Sequence, residues 1–263
     1  MEHTFAICAY KESEYLQECI ESLLAQSVRS NIFIATHTDN RFIRQMAERY
    51  DLKVYINEGE TGITQDWNFA LSKVETPYAT IAHQDDVYEP TYTEEVLDRM
   101  HAARHPLLCF TDYFEIREGK RITDSTMIRI KRMLLFPLRN RAFDRSIFMR
   151  RRCLSLGDPV ICPSLTFALH NLNQPLFQNH MLASEDWEML EVVSRQKGDF
   201  MYIPKMLTGH RIHEESTTTE ALQGGRRARE NLEVLEHFWP KPIARFINHF
   251  YNKSEKYNKV ENI

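Results

Sequence analysis

The sequence predicts an α/β fold with a mostly parallel sheet flanked by helices. Over the first 83 residues, short apolar runs alternate with segments in which apolar residues recur every three or four positions. These periods are typical of buried strands and amphipathic helices, respectively. The resulting order β-α-β-α-β-α-β favours parallel pairing, because each helix returns the chain to the same end of the sheet. With 263 residues, the chain is long enough for one large domain or two small ones.

The first half contains the most regular elements. The run "FAICAY" is short and apolar throughout, as expected of a strand buried on both faces. In "SEYLQECIESLLAQS", Leu16, Ile20 and Leu23 share one helical face, and Ser13 is the predicted N-cap. The predicted strands are 5–10, 31–36, 52–57 and 78–83, and the predicted helices are 13–27, 41–50 and 62–74.

The second half is less regular. "EPTYTEEVLDRMHAA" predicts a helix, and "PLLCFTDYFEIRE" predicts a long strand that turns at "EGKR". Segment 126–156 is expected to be helical in pieces around Pro137. "GDPVICPSLTFAL" predicts a short strand between loops, and "DFMYIP" another strand. A helix is predicted to start at the N-cap Ser184, and the C-terminal region 226–258 is predicted to be helical with a break near Pro240.

Composition excludes several classes of protein. The chain is 43% hydrophobic and 27% charged, which is typical of a globular protein rather than a disordered one. No run approaches the roughly 18 to 20 apolar residues of a membrane helix. The start "MEHTFAICAY" is acidic and enters a strand at once, so a signal peptide is not expected. The five cysteines show no CxxC spacing, and we expect them to be reduced packing residues in the cytoplasm.

The stretch "TIAHQDDVYEP" combines a buried strand with two adjacent acids. His83, Asp85 and Asp86 directly follow the fourth predicted strand. Ligands of open α/β sheets bind outside the carboxyl ends of the strands, and adjacent carboxylates there become favourable around a divalent cation. Alternatively, one Asp caps the following helix, the other is solvated, and His83 is simply a strand-end histidine.

The chain resembles the family 2 glycosyltransferases, which have the GT-A fold. The similarity begins with "ICAYKESEYLQECIESLLAQS" and continues through "GITQDWNFALSKVETPYATIAHQDDVYEP", "SEDWEML" and "HRIHEEST", over about residues 4–218. "IAHQDDVY" and "DWNFAL" are similar to bacterial members that build cell-surface polysaccharide. The resemblance implies a GT-A domain over 1–218, with a donor half (1–100) and an acceptor half (101–218), followed by a helical region over 219–263.

The resemblance also implies an activity. The expected reaction is inverting transfer of a sugar from a nucleotide-sugar to a saccharide or lipid-linked saccharide. A UDP-sugar is the first expectation for the donor, with dTDP- and GDP-sugars as alternatives. Asp85 and Asp86, with His213, are the expected ligands of Mn²⁺ or Mg²⁺. Asp186 is the expected general base, with Glu185 as the second choice. The expected nucleotide-sugar contacts are Ala9, Tyr10, Glu12, Thr36, Asp39, Asp66, His83 and Asp85.

Each of these residues also has an ordinary structural explanation. Tyr10 can be packed, and Asp66 can simply stabilise a helix start. Acids such as Glu185 and Asp186 are common in a first helical turn. The remaining candidates, His210, Arg211 and His213, can complete the metal site, bind the diphosphate or lie in solvated loop.

The sequence departs from the family pattern at three places. The acid pair usually found after the second strand is replaced by Ala35 and Thr36, so base recognition is expected from Thr36, Thr38 or Asp39. His83 stands where the first Asp of the DXD motif is expected, and Lys11 stands where an Asn is usual.

A basic stretch interrupts an otherwise acidic chain. Segment 129–152 holds nine Arg or Lys residues and one acid, a net charge of +8 in a chain of −4. Mixed with Ile, Met, Leu and Phe, these cations suit an anionic membrane surface at the inner face of the cell membrane. An oligomer interface, a diphosphate site or a solvated face are the alternatives. Nucleic acid is not an expected partner, because the pI is about 6.3 and no binding motif is visible.

Two rival functions remain open at this stage. "AHQDD" is similar to the signature of a family of zinc-dependent sugar N-deacetylases, and His210 and His213 offer nitrogen ligands. That family places the signature after its first strand, whereas here it follows the fourth. The second rival is a non-catalytic homologue that binds sugar nucleotide.

Overall fold

The computed structural model describes residues 1–213 and 225–260, with side chains through residue 252. Within these residues, helices flank a single mixed sheet. Its strands are β1 (His3–Cys8), β2 (Asn31–Thr36), β3 (Lys53–Ile56), β4 (Tyr78–His83), β5 (Val87–Tyr88), β6 (Pro106–Arg117), β7 (Lys120–Ile122), β8 (Leu165–Ala168) and β9 (Asp199–Ile212).

The helices lie between and after these strands. They are α1 (Leu16–Leu24), α2 (Arg41–Arg49), α3 (Ile63–Ser72), α4 (Tyr92–His101), α5 (Thr126–Leu135), α6 (Ile147–Leu154), α7 (Glu185–Ser194), α8 (Arg226–Glu236) and α9 (Lys241–Val260). Short 3₁₀ turns follow α5 and flank β8. The predicted breaks at Pro137 and Pro240 are confirmed, since α5 ends before Pro137 and α9 begins after Pro240.

The first half of the sheet has the predicted parallel order. The strands run β3-β2-β1-β4, and all three pairings are parallel. Cys8 at the end of β1 is in register with His83 at the end of β4. The backbone N–H of Ala9 donates to Ala35 O at 2.9 Å, which aligns the end of β2 with them. Three carboxyl ends therefore meet at one edge of the sheet.

The second half is mixed. β8 lies antiparallel between β4 and β6, β6 and β9 are parallel, and β5 adds antiparallel to β9. β9 is longer than the strand predicted over 199–204, because pairing resumes after Pro204 and Lys205 are skipped. Proline lacks the N–H that a ladder needs, so the irregularity lies where expected. The extension brings residues 206–212 alongside β6 and β5.

Apolar side chains cover both faces of the sheet. On one face, Phe5 and Ile7 pack with α1, α2 and α4 in a cluster that includes Leu16 and Ile20. On the other face, Ile81 and Phe110 pack with α3 and α7 and with the C-terminal helices. Both faces are thus buried, as the continuous apolar strands predicted. All five cysteines are unpaired, and four of them are buried.

Of two predicted N-caps, Ser13 is wrong, and Ser184 is confirmed in position but makes no capping hydrogen bond. α1 begins at Leu16, and Ser13 lies three residues before this start. The Ser13 hydroxyl accepts a hydrogen bond from the backbone N–H of Tyr15 at 3.3 Å. Ser184 does precede α7, but its hydroxyl contacts Asn231 Oδ1 of α8 at 2.8 Å instead of capping the helix. In both cases a competing hydrogen bond uses the hydroxyl.

Part of the basic stretch serves the fold. Arg150 is fully buried, and its guanidinium donates to the carbonyls of Ser194 (2.9 Å), Gly198 (2.9 Å) and Gln196 at the end of α7. Burial lowers its pKa to about 10, and the helix end compensates with aligned carbonyls. Three other cations pair with acids: Arg129 with Asp124, Arg132 with Asp112, and Arg151 with Glu191.

In the described part of the chain, no helix has the length and apolar character needed to cross a membrane.

Candidate active site

Gln84 fixes the acidic turn to the end of β1. The backbone N–H of Tyr10 donates to Gln84 Oε1, and Gln84 Nε2 donates back to Tyr10 O, both at 3.0 Å. This reciprocal pair is possible because β1 and β4 are parallel neighbours that end together. The turn that carries Asp85 and Asp86 is therefore held at the carboxyl edge of the sheet.

Asp86 is fully buried, and β9 supplies its partners. Its Oδ1 accepts from the backbone N–H of Arg211 at 2.8 Å and contacts His210 Nδ1 at 3.0 Å. The pairing of Val87 with Gly209 brings these groups opposite the turn. A buried carboxylate without such donors would be strongly unfavourable, so β9 makes the acidic doublet tolerable.

Asp85 is held from the same strand end. Its Oδ2 lies 2.9 Å from His213 Nε2, and its backbone carbonyl accepts from Arg211 Nε at 2.9 Å. Burial acts to raise the pKa of Asp85, but the His213 hydrogen bond and the nearby histidines outweigh it and lower the pKa. For His210, burial acts to lower the pKa, and the attraction of Asp86 outweighs it.

His83 completes a group that suits a divalent cation. One donor atom from each of His83, Asp85 and Asp86 lies within 4.8 Å of the other two. The His83 ring stacks on Trp67 at 5.3 Å, and its Nε2 is buried without a hydrogen-bond partner among the described residues. One imidazole and two carboxylates form a donor set that first-row divalent metals accept, so these residues fit the expected ion.

Asp66 lies in the first turn of α3 and joins the ends of two strands. Its Oδ2 is 2.6 Å from His37 Nδ1, and its Oδ1 accepts from Asn57 Nδ2 at 2.8 Å. His37 directly follows β2 and Asn57 directly follows β3. The sequence prediction included Asp66 but missed both partners, because their role depends on a contact with α3.

The other residues expected to bind the nucleotide differ in availability. Tyr10 is 48% exposed, and its ring lies 5.3 Å from that of His37. Thr36 is buried and accepts from the backbone N–H of Thr38 at 3.0 Å, while Asp39 forms an ion pair with Arg44 on the surface. Of the remaining expected contacts, Ala9 is buried at the end of β1, and Glu12 and Lys11 are exposed in the loop that follows.

The predicted catalytic acids begin α7. Glu185 is only 8% exposed, and its Oε2 has no hydrogen-bond partner among the described residues. Burial, with a further contribution from Asp186, raises the pKa of Glu185 to about 7. Asp186 is more accessible, and its Oδ1 accepts from the backbone N–H of Trp187 at 2.8 Å.

Asp158 is a third acid that the sequence reading missed. It is buried in the loop after α6, and burial, with Asp186 adding to it, raises its pKa to about 7. Burial also raises the pKa of Cys162, and Asp186, Glu185 and Cys8 contribute. Cys162 precedes Pro163, whose carbonyl accepts a hydrogen bond from the Tyr88 hydroxyl at 2.8 Å, so this segment lies beside the strand that follows Asp86.

Three aromatic side chains hold the loop that leads to Asp158. Trp187 Nε1 donates to Leu154 O at 3.0 Å, and Trp239 Nε1 donates to Ser155 O at 2.7 Å. The hydroxyl of Tyr251 accepts from the backbone N–H of Asp158 at 3.3 Å. A Cβ at Gly157 would lie 2.6 Å from the Tyr251 ring. The C-terminal helical region thus positions part of the acidic site.

The predicted site residues form two groups at the same edge. The first joins His83, Asp85 and Asp86 to His210 and Arg211 of β9 and to His213 directly after it, and the second contains Glu185 and Asp186. The part of "HRIHEEST" after His213 lies outside the described residues.

Comparison with known proteins identifies the family and the fold. The model of the family described as glycosyl transferase family 2 matches residues 4–163, more than half of the chain. No curated protein matches the chain.

Solved structures of the same fold include proteins from S. aureus and from Pyrobaculum calidifontis. S. aureus TarS 1–349 in complex with UDP-GlcNAc superposes with a TM-score of 0.62 at 13% identity, over 94% of this chain and 70% of that chain. A longer S. aureus TarS structure superposes with a TM-score of 0.58 at 15% identity, over 94% of this chain and 42% of that one. Mannosyltransferase PcManGT from Pyrobaculum calidifontis, in complex with GDP-Man and Mn²⁺, superposes with a TM-score of 0.62 at 12% identity. The superposition covers 95% of this chain and 70% of that chain. At these identities, the superpositions establish the GT-A-like fold.

Proposed function

The chain belongs to glycosyl transferase family 2, and from that premise we propose that it is an inverting, metal-dependent glycosyltransferase of cell-surface polysaccharide synthesis. The donor is a nucleotide-sugar and the acceptor a saccharide or lipid-linked saccharide. The observation that carries the proposal is the group of His83, Asp85 and Asp86 at the carboxyl edge of the sheet. The nucleotide-sugars bound to TarS and PcManGT support a donor of this class.

The metal-binding group serves the donor diphosphate. Mn²⁺ or Mg²⁺ held by His83, Asp85 and Asp86 would neutralise charge on the leaving nucleoside diphosphate. The partners on β9, with His213 directly after it, orient both carboxylates and lower the pKa of Asp85, which is the function of hydrogen bonds around metal ligands. Because His213 Nε2 lies against Asp85, we assign His213 to orienting this carboxylate rather than to direct ligation.

Asp186 is the proposed general base. The acceptor oxygen bonds to the anomeric carbon while the bond from that carbon to the diphosphate breaks, and the acceptor proton passes to Asp186. Attack from the face opposite the leaving group inverts the anomeric centre. Glu185 remains the second choice: its pKa of about 7 suits a base, but its burial limits contact with an acceptor.

The exposed part of the basic stretch supports contact with a membrane. Met133, Phe136 and Phe148 are each about two-thirds exposed. Arg139, Arg141 and Arg145 are exposed in the same stretch. Cations beside exposed aromatic residues suit an anionic lipid surface, so peripheral attachment at the inner face of the cell membrane is part of the proposal.

Vesicle binding tests this surface. The double substitution Phe136→Ser and Phe148→Ser should reduce co-sedimentation with phosphatidylglycerol vesicles at least several-fold and change the free energy of unfolding by less than about 0.5 kcal/mol. Unchanged sedimentation of the folded variant would contradict membrane contact there.

Donor screening tests the activity itself. UDP-, dTDP- and GDP-sugars, each with Mn²⁺, are screened for thermal stabilisation, and the best donor is then assayed for turnover with saccharide and lipid-linked acceptors. We expect one donor to stabilise the chain, with turnover lost in both Asp85→Ala and Asp186→Ala. A chain that binds a donor but does not turn it over, and whose donor binding is unaffected by Asp186→Ala, would be a non-catalytic homologue.

A metal assay tests the other rival. Bound zinc and release of acetate from N-acetyl sugars, without any response to nucleotide-sugars, would indicate the deacetylase. The position of "AHQDD" after β4, instead of a first strand, supports the transferase.

A further inference from the structure

The hydrogen bonds around Asp66 fix the tautomer of His37. An ionised carboxylate only accepts hydrogen bonds, so the short contact of 2.6 Å requires the proton on His37 Nδ1. The other oxygen of Asp66 is held by the Asn57 amide at 2.8 Å, which prevents the carboxylate from turning away. In the uncharged ring, Nε2 must then be a hydrogen-bond acceptor.

His37 Nε2 is available to a ligand. The side chain of His37 is 21% exposed, and no residue in 1–213 or 225–252 forms a hydrogen bond with its Nε2. The Tyr10 ring, 48% exposed, lies 5.3 Å from the His37 ring at an angle of 42°. An aromatic face for stacking and a fixed acceptor therefore lie side by side at the ends of β1 and β2.

The residues expected to recognise the base are occupied. Thr36 is buried against Thr38, and Asp39 is bound to Arg44 on the surface. Ala35 offers no polar side chain. Next to Tyr10, the imidazole of His37 offers an acceptor whose orientation and tautomer are fixed by Asp66.

We propose that His37, with its tautomer set by Asp66, selects nucleotides whose base carries a ring N–H. This inference rests on the proposed function and names its donor class. Uracil and thymine offer N3–H, and guanine offers N1–H, so each can donate to Nε2. Cytosine and adenine present a bare ring nitrogen at the corresponding edge, which places two lone pairs opposite each other. An unpaired polar contact of this kind weakens binding by about 10- to 100-fold.

Titration calorimetry with free nucleotides tests the selection. The full chain is titrated at pH 8 with UDP, dTDP, GDP, CDP and ADP, each with Mn²⁺. We expect at least one of the first three to bind at least about 10-fold more tightly than both CDP and ADP. Equal Kd values for UDP, GDP and CDP would overturn the inference and leave the proposed function standing. Failure of every nucleotide to bind would overturn both.

Asp66→Asn tests the tautomer directly. Asn57 still donates to the amide oxygen, so the amide NH₂ faces His37 Nδ1 and the ring proton moves to Nε2. Nε2 then donates, and the preference for ring N–H bases should fall below about threefold or reverse. A uniform loss of affinity with an unchanged ratio would mean that Asp66 has only a structural role and would overturn the inference.

Three further variants complete the test: one distinguishes misfolding from loss of selectivity, and two are matched controls. His37→Leu removes the acceptor without touching α3, and it should also bring the Kd ratio close to one. An unchanged ratio in this variant would overturn the inference. Glu2 and His101 form a histidine–carboxylate pair of 3.1 Å beside Tyr78, which begins β4 at the opposite edge of the sheet. Glu2→Gln and His101→Leu should leave the ratio unchanged.

Discussion

Two groups of acids lie at one edge of the sheet, and their surroundings differ. Asp85 and Asp86 receive hydrogen bonds from side chains and backbone of β9 and the residue after it, and the pKa of Asp85 is lowered. Glu185 and Asp158 are buried with few donors, and burial raises the pKa of each to about 7. The environment thus lowers the pKa of the carboxyl group of Asp85, whereas Glu185 and Asp158 hold a proton near neutral pH.

This difference fits two separate tasks. A permanently ionised group suits binding of a cation beside the diphosphate. In the other group, Asp186 is the more accessible carboxylate and the proposed base, and Glu185, with its raised pKa, is the second choice. Adjacent acids occur in both segments of the sequence, so the environment, rather than the sequence pattern, separates the roles.

The largest effect is expected at the base. Asp186→Asn should lower turnover by about 10²- to 10⁴-fold and leave the Kd of UDP with Mn²⁺ unchanged, because Asp186 acts on the acceptor. Turnover and calorimetry measure the two quantities, and Asp98→Asn on the exposed side of α4 is the control. If Glu185→Gln abolished turnover while Asp186→Asn kept it within threefold, the base would be Glu185.

Removal of Asp86 should be the most destabilising change in the metal-binding group. Asp86→Ala leaves the backbone N–H of Arg211 and the ring of His210 without their buried partner. We expect the free energy of unfolding to fall by about 3 kcal/mol, measured by urea denaturation. A loss below about 0.5 kcal/mol would mean that these contacts do not hold the turn.

Glu185→Gln should raise the free energy of unfolding above neutral pH, whereas Asp86→Ala lowers it. The pKa of Glu185 is raised in the folded chain to about 7 from an ordinary value near 4.5. The folded chain therefore binds this proton more tightly, and its free energy of unfolding falls as pH rises from about 4.5 to 7. Glutamine cannot ionise, so the variant should be more stable than the wild type at pH 8 by on the order of 1–3 kcal/mol.

Urea denaturation between pH 5 and 8 checks this sign. Equal pH dependence in the variant and the wild type would show that Glu185 is not held protonated by burial. Asp98→Asn again serves as the control, because its carboxyl group is exposed.

A smaller effect is expected at the loop beneath the acids. Gly157→Ala places a Cβ 2.6 Å from the Tyr251 ring, so the ring or the loop must move. We expect a loss of about 1–2 kcal/mol in the free energy of unfolding. In a double-mutant cycle with Tyr251→Leu, most of this loss should disappear. If the losses in the free energy of unfolding of the two single variants were additive, the Gly157→Ala effect would not come from contact with the Tyr251 ring.

The donor half of the fold could be predicted from local patterns. Apolar runs of strand length and helical spacing identified β1 to β4, and the end of β4 located Asp85 and Asp86. The extension of β9 past Pro204 could not be predicted, because it depends on pairing with β6, far away in sequence. This extension provides the partners of both carboxylates.

Single residues at strand ends were the other failure. His37 and Asn57 belong to no periodic pattern, and their role depends on Asp66 arriving from α3. Asp158 became an acid with a raised pKa only through burial beneath Tyr251, which comes from the other end of the chain. Such roles follow from tertiary contacts and are invisible to a local reading.

The central claim is that His83, Asp85 and Asp86 bind a divalent cation that in turn binds a nucleoside diphosphate. Titration calorimetry of UDP, dTDP and GDP with Mn²⁺ and with EDTA, in the wild type and in Asp85→Asn, tests it most directly. We expect binding of at least one nucleotide to be at least about 10-fold tighter with Mn²⁺ in the wild type, and this gain to be lost in Asp85→Asn. Affinity that is equal in Mn²⁺ and EDTA, or a gain that persists in Asp85→Asn, would contradict the claim.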